Sequence, residues 1–304
     1  MKFITFVDLS NMLLKGSKRV IENKEKINAI NIFPVADNDT GNNLANTFLG
    51  IEKVLKSKTF DNTDNLIDTI LEAAFSASQG NSGMITVSYL DGFLTSLKGK
   101  KQFTIKDLIK GLQIGAINAK KSMEHPVKGT MLDVINSFSN AVEDGSKTSL
   151  TSISEIFYQA TQKVRTTLIN TENEMKILEK NHIVDAGALG FTFFVYGMYE
   201  GLSNTRIKLT GIDLKPVNNK PLKFTKFPFE IMFIISKTPF STKQLREMLH
   251  KLGDCLDIVT VGQKVKIHIH TNRPEVVKEI ALLTGEVMKL EVVDMRLKAA
   301  THLL

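Results

Sequence analysis

The chain of 304 residues has one cysteine, Cys255, and no tryptophan. A single thiol cannot form an intrachain disulfide, so packing must hold the fold, and a reducing compartment, the cytoplasm, is expected. No uncharged apolar run reaches the roughly 18 residues that a membrane-spanning helix needs. The opening Met1-Lys2-Phe3-Ile4-Thr5-Phe6-Val7 starts like a signal peptide, but Asp8, Ser10 and Asn11 interrupt it and no small-residue cleavage site follows. Arginine is also scarce. Of 39 basic residues only six are Arg (Arg19, Arg165, Arg206, Arg246, Arg273 and Arg296), and the net charge of +7 comes from scattered Lys. Specific phosphate and base readout leans on Arg forks, so nucleic acid is not an expected partner.

What is present is a soluble-protein composition, 42% hydrophobic, in a length that suits about two domains. From residue 8 to about 202 the apolar positions follow a helical period, as in Leu44, Phe48, Ile51 and Leu55 or in Leu66, Ile67, Ile70, Leu71 and Ala74. Thr104-x-x-Asp107 resembles a capping box ahead of Leu108, Ile109 and Leu112. Residues 152–171 and 186–202 read as further helices, which makes an all-helical first domain of about eight helices. The segment 203–226, with Pro216, Asn218, Asn219 and Pro221, reads as a connector with room for a short strand. Beyond it the period changes. Phe229 to Ser236 is a strand, Ser241 to Leu252 a helix, Leu256 to Val261 a strand, Val265 to Thr271 its return, Pro274 to Leu283 a helix and Lys289 to Val293 a strand. This β-α-β-β-α-β order predicts a split-βαβ sandwich over 227–304.

Four polar, small-residue turns each precede a helix. Asn31-Ile32-Phe33-Pro34-Val35-Ala36-Asp37-Asn38-Asp39-Thr40-Gly41-Asn42-Asn43 sets two carboxylates on one turn, which suits a hard divalent cation, and aims a helix N-terminus at the same place, which suits an anion. An EF-hand loop from Asp37 would need Gly and Glu where Asn42 and Phe48 stand. Asp39-Thr40-Gly41 spells an aspartic-protease triplet, but it occurs once and opens a helix. A solvated turn with a helix cap is the plain alternative. Ser76-Ala77-Ser78-Gln79-Gly80-Asn81-Ser82-Gly83 lacks the Gly-Lys-Ser/Thr ending of a Walker loop, yet its small residues admit a phosphate. His125-Pro126-Val127-Lys128-Gly129-Thr130-Met131-Leu132-Asp133 and Val184-Asp185-Ala186-Gly187-Ala188-Leu189-Gly190 complete the set, with His125 and His182 beside them.

In order and spacing these four segments resemble the nucleotide-binding domain shared by dihydroxyacetone kinases and bacterial fatty acid kinases. Leu252-Gly253-Asp254, Lys266-Ile267-His268-Ile269-His270-Thr271, Pro274 and Gly285-Glu286 are similar to the middle domain of the ATP-binding chain of fatty acid kinase. The resemblance implies an antiparallel eight-helix barrel over 1–202 that holds ATP and two Mg²⁺ in its mouth. On matching positions Asp37 and Asp39 would bind Mg²⁺, with Asn31 nearest to a third ligand. Asp37, Asp39 and Thr40 would be catalytic. Thr40, Gly41, Asn42, Asn43, Gly80, Asn81 and Ser82 would cradle phosphates, Thr130 and Met131 would lie near the nucleoside, and Asp185 with Gly187 would close the pocket. The family transfers the γ-phosphate of ATP to a fatty acid carboxylate presented by a separate binding protein, so such a partner is expected, while a homodimer stays open. The resemblance also implies a chain without that family's third, C-terminal domain. Asn38, Ala77 and Ala188 stand where the family pattern it resembles has Gly, and Gln79 where it has Arg. Two other readings stay open: a non-catalytic nucleotide-binding regulator, and a small-ketone kinase component fed by a phosphorelay.

The second domain carries its own candidate site. If Gly262-Gln263 is a two-residue hairpin turn, Cys255 faces His270 and Asp257 faces His268. Strand alternation then puts Cys255, Asp257, His268 and His270 on the polar face, away from Leu256, Ile258, Val265, Ile267 and Ile269. Cys255, His268 and His270 are therefore candidate Zn²⁺ ligands. An amphipathic strand with two outward His is the plain alternative.

Overall fold

A computed structural model describes residues 2–150, 152–212, 216–217 and 226–296. Its element order is β1 (Phe3–Thr5), α1 (Phe6–Glu22), α2 (Lys24–Asn28), α3 (Thr40–Ser57), α4 (Thr63–Ala77), α5 (Gly80–Thr95), β2 (Gln102–Thr104), α6 (Ile105–Ser122), α7 (Met131–Ser146), α8 (Ile153–Glu174), α9 (Lys176–Asn181) and α10 (Ala186–Ser203), followed by β3 (Phe229–Ser236), α11 (Thr242–Leu249), β4 (Gly253–Val261), β5 (Lys264–Thr271), α12 (Pro274–Thr284) and β6 (Glu286–Asp294). Among the described residues no helix is long and apolar enough to cross a membrane.

The helical part is not purely helical. β1 and β2 pair antiparallel, Phe3 with Thr104 and Thr5 with Gln102. Strands of this length are too short to show an alternation in sequence. Each leads straight into a capping box, Thr5 with Asp8 and Thr104 with Asp107, which fixes where α1 and α6 begin. α5 and α10 are buried around nearly their whole circumference, as their largely apolar sequences require. α1 packs against α3 and α10, and α6 against α5 and α7, while α8 lies between α7 and α10. The α1–α10 contact is close because of glycine. A Cβ on Gly197 would stand 2.4 Å from the Lys15 carbonyl oxygen, and one on Gly201 2.4 Å from that of Asn11.

Two arginines tie the connector to the helices. Arg19 donates to the Ile207 carbonyl at 2.6 Å and Arg165 to that of Thr210 at 2.6 Å. The short strand expected in 203–226 is absent from its described residues, and Pro221, Asn218 and Asn219 lie outside them.

The second part has the expected β-α-β-β-α-β order, with strands arranged β4-β5-β3-β6 and all neighbours antiparallel, the split-βαβ arrangement. α11 stops at Leu249, short of the expected Leu252, so that β4 can start at Gly253. One sheet face, with Ile231, Phe233, Ile235, Ile258, Ile267 and Ile269, packs on Leu245, Leu249, Val277 and Ala281 in a core of its own. The other face was expected to be polar and outward. It is buried instead: Ile234 and Val259 join the helical core, and Lys266, His268 and Asp257 are sealed between the two parts. Glu124 donates its amide to the Leu256 carbonyl at 3.2 Å, and Arg246 reaches the Ser122 carbonyl at 2.9 Å.

Gly197→Ala is expected to overpack the α1–α10 contact and to cost about 1–3 kcal/mol of stability. A thermal melt followed by circular dichroism checks it; an unchanged midpoint would show that the two helices can part without cost.

Candidate functional site

The acidic loop between α2 and α3 is organised by Asn31. Its Oδ1 accepts from the amides of Asp39 at 3.0 Å and Thr40 at 2.9 Å, and its Nδ2 donates to the Val35 carbonyl at 3.1 Å. These bonds fold the loop onto the start of α3, with Asp37 and Asp39 on the wall of one cavity. Asn38 between them has a φ of 57°, in the left-handed region that Asn tolerates and that explains why the related pattern has Gly there. Asn31, expected nearest to a third metal ligand, has its oxygen on these two backbone amides and so shapes the loop that presents the carboxylates. Asp39 Oδ1 accepts from Asn43 Nδ2 at 2.8 Å. Thr40 and Asn43 line the cavity, whereas Gly41 and Asn42 do not. Gly41 is pressed on α2, where a Cβ would meet the Lys24 carbonyl oxygen at 2.1 Å, and the Asn42 amide donates to Asn28 Oδ1 at 3.2 Å. Those two residues seat α3 on α2.

Opposite the acidic loop, α5 begins at Gly80. Its φ is 56°, and a Cβ there would lie 2.5 Å from Asn43 Nδ2. The absent side chain brings the loop against α3. The first-turn amides of α5 have no acceptor within the helix and carry the positive end of its dipole. Gly80, Asn81 and Ser82 all line the cavity, and Ser82 Oγ is buried with no protein partner. The open amides of this helix start, on a cavity wall shared with Asp37 and Asp39, fit a phosphate oxygen. Gln79, where the related pattern has Arg, turns away: it accepts from Asn46 Nδ2 at 2.8 Å and lies in a separate cleft beside Lys53 and Lys289.

Two more helix starts complete the rim. Thr130 caps α7, with Asp133 Oδ2 accepting from the amides of Gly129 at 2.6 Å and Thr130 at 3.0 Å. Asp185 caps α10 and accepts from the Ala188 amide at 2.7 Å. Burial pushes the Asp185 acid up to about 7, against backbone bonds from Ala188, Met131 and Gly187 that favour its ionised form. Thr130, Met131, Asp185 and Gly187 line the cavity, as does His125. His182 is exposed and stands 3.4 Å from Glu172, a surface pair.

The remaining wall comes from the sheet. His268, His270, Cys255 and Glu230 face the same cavity as Asp37 and Asp39, which no sequence pattern announced. Asp257 pairs with His268 as expected, but a bulge follows: Asp254, not Cys255, stands opposite His270. Cys255 lies inside the bulge with a φ of 53°. Both ring nitrogens of His268 are engaged, Nε2 with Glu230 at 3.2 Å and Nδ1 with the Cys255 carbonyl at 3.1 Å. Burial lowers the His268 pKa, but the Glu230 bond and the charges of Glu230 and Asp257 outweigh it, and the net direction is upward. Burial pushes Asp257 up to about 7 and the Cys255 thiol up to about 12. The expected trio therefore divides. Ligand atoms of Glu230, His268 and His270 lie within 4.8 Å of one another, as do those of Asp254, Cys255 and His270. Glu230 was the missed member; its signal was a lone acid in the otherwise apolar start of β3, directly across from His270.

Residues 34–200 match the family model described as the DAK2 domain, and residues 226–302 match that of the middle domain of FakA-like fatty acid kinase proteins. Uncharacterized proteins of Staphylococcus epidermidis and Staphylococcus aureus are 24% and 25% identical over 302 residues, which cover 94% of this chain and 54% and 55% of theirs. The chain thus spans about half the length of the curated relatives it matches. The native form of the dihydroxyacetone kinase of C. freundii superposes on 63% of this chain and 34% of its own, with a TM-score of 0.50 and 16% identity, a likeness of fold. The same kinase solved with AMP-PNP and Mg²⁺ gives a TM-score of 0.48 over 63% of this chain and 33% of its own, also at 16% identity.

The Asp185 shift carries a pH dependence. An acid raised from 3.8 to about 7 in the folded state stabilises the fold most at low pH, and that contribution fades as pH rises from about 4 to about 7. Asp185→Asn removes it. The melting temperature of the variant relative to the wild type should therefore move in the variant's favour between pH 5 and pH 8. A constant difference would mean that Asp185 titrates as an ordinary carboxylate.

Proposed function

The chain belongs to the DAK2-domain family, and we propose on that premise that it transfers the γ-phosphate of ATP to the carboxylate of a fatty acid presented by a separate binding protein, giving an acyl phosphate. A kinase-type, nucleotide-binding role accords with the family; the acyl acceptor is the finer step, supported by the middle-domain match over 226–302. In this reading residues 1–202 form a ring of eight helices with the site at one end, 203–226 connects, 227–304 is the second domain, and the protein acts in the cytoplasm.

The observation that carries the proposal is convergence. The loop of Asp37 and Asp39 and the starts of α3, α5, α7 and α10 meet at one cavity. Among the described residues that line it none is Lys or Arg. A triphosphate there would depend on metal ions and helix ends for charge neutralisation. Asp37 and Asp39 would hold Mg²⁺, two ions in this reading, which when bound supplies that neutralisation. Thr40 and Gly80 to Ser82 would receive phosphate oxygens, and Thr130 and Met131 would border the nucleoside. A carboxylate acceptor is already a nucleophile, so no strong base is required. Zn²⁺ on Cys255 and His270, with Asp254 as a further ligand, belongs to the same proposal; the nitrogen, sulfur and carboxylate donors suit it, and binding would have to release the thiol proton.

Asp39→Ala is expected to weaken Mg²⁺-dependent ATP binding about tenfold to 100-fold, at least what losing a group that supports a metal ligand costs. Calorimetric titration with and without Mg²⁺ measures it. Nucleotide binding by the variant at wild-type strength would overturn the assignment. Acyl-phosphate formation with a co-purified fatty-acid-binding protein tests the acceptor.

Metal analysis of the purified protein should find zinc in the wild type and lose it in a His268→Ala, His270→Ala variant; no zinc in either ends the zinc part alone.

A further inference from the structure

Lys266 stands in mid-β5 on the sheet face turned toward the helices, flanked across the strands by Ile234 and Val259. Both neighbours are members of the helical core, and Lys266 itself is 1% exposed. The core of the sheet lies on the other face and has no use for a charge here. A lysine amine buried among apolar side chains is strongly disfavoured unless oxygen atoms replace its water. Three do. Lys266 Nζ donates to the Phe75 carbonyl at 2.7 Å, the Ser78 carbonyl at 2.5 Å and Ser78 Oγ at 2.9 Å. Carbonyls at the C-terminus of α4 have no amide partner within the helix and form its negative end. The amine also lies 5.6 Å from the centroid of the Phe75 ring.

The contacts continue from Ser78 into the cavity. Gln79 is held by Asn46. Gly80 is pressed on Asn43, and Asn43 donates to the Asp39 carboxylate. We propose that Lys266 is a positioning residue: from the second domain it fixes the turn that begins α5, and so sets the polar groups of Gly80, Asn81 and Ser82 where a phosphate is to be received. The proposal deepens the kinase reading and rests on it for the nature of the ligand. It makes nucleotide affinity depend on a side chain that lies off the cavity wall.

The test uses the full chain with Lys266→Met, which keeps length and loses the donors. Amide hydrogen exchange is read first without nucleotide. Exchange at the bonded amides of this turn, Ser78 and Gly83, should quicken about tenfold, the size of one buried hydrogen bond lost, while α1 and α10 stay unchanged. Affinity for Mg²⁺-ATP should fall by a similar factor, and Lys266→Arg should recover most of both. Unchanged exchange at Ser78 and Gly83, or nucleotide affinity equal to the wild type, overturns the proposal, as does a loosening spread evenly over the chain. Should Lys266→Met fail to fold, Ser78→Ala removes one acceptor and decides the matter, with about threefold faster exchange at Gly83 expected and no change fatal. A wild type that binds no nucleotide would overturn the kinase reading and leave the exchange result standing.

Discussion

Charged and polar side chains can be buried only where other atoms take the place of water, and that constraint determines how the two parts of this protein meet. Helix flanks have no unpaired backbone groups to offer; helix ends do. Lys266 meets the C-terminus of α4 and Arg246 the C-terminus of α6, so both cations complete carbonyls that their helices leave unpaired. The turns after these helices lead directly to α5 and α7, whose N-terminal amides border the cavity. The same end of the helical part thus shows carbonyls to basic side chains of the second part, one from β5 and one from α11, and amides toward the cavity.

This arrangement also accounts for the few arginines. Arg19 and Arg165 hold the connector by its carbonyls, and Arg246 holds the sheet. None lines the cavity among its described residues, where four acids, Asp37, Asp39, Asp185 and Glu230, stand beside four helix starts and the only basic side chains are histidines. Gln79 fits this pattern. Its side chain accepts from Asn46 at the back of the loop, away from the wall described here.

Much of the site was legible in the sequence because its pieces are local. Each of the four turns has to begin a helix, and the need for small or capping residues at such a start leaves a mark: Gly80 at positive φ, Thr130 and Asp185 as caps, Asn38 between two acids. The β-α-β-β-α-β order was legible for the same reason, since strand alternation and the Gly262-Gln263 turn are written in neighbouring residues. Three things were not. The bulge at Cys255 has no signature in composition, so a register counted from the turn was right at Asp257 and wrong at His270. The bonds of Asn31 to the Asp39 and Thr40 amides depend on the folded loop and leave no mark in the sequence. The burial of the second sheet face depends on what it docks against, and alternation reports only that the two faces differ.

Because the cavity takes one wall from the residues around Asp37 and another from those around His270, it cannot be complete when the helices alone have been synthesised. On the ribosome the helical part reaches its full set of elements with that side still open to water, and the polar ends of α4 and α6 remain hydrated until β4 and β5 have emerged. The second wall of the pocket is therefore a late product of translation, supplied by β3 and by the hairpin of β4 and β5 after the helices that carry the acids.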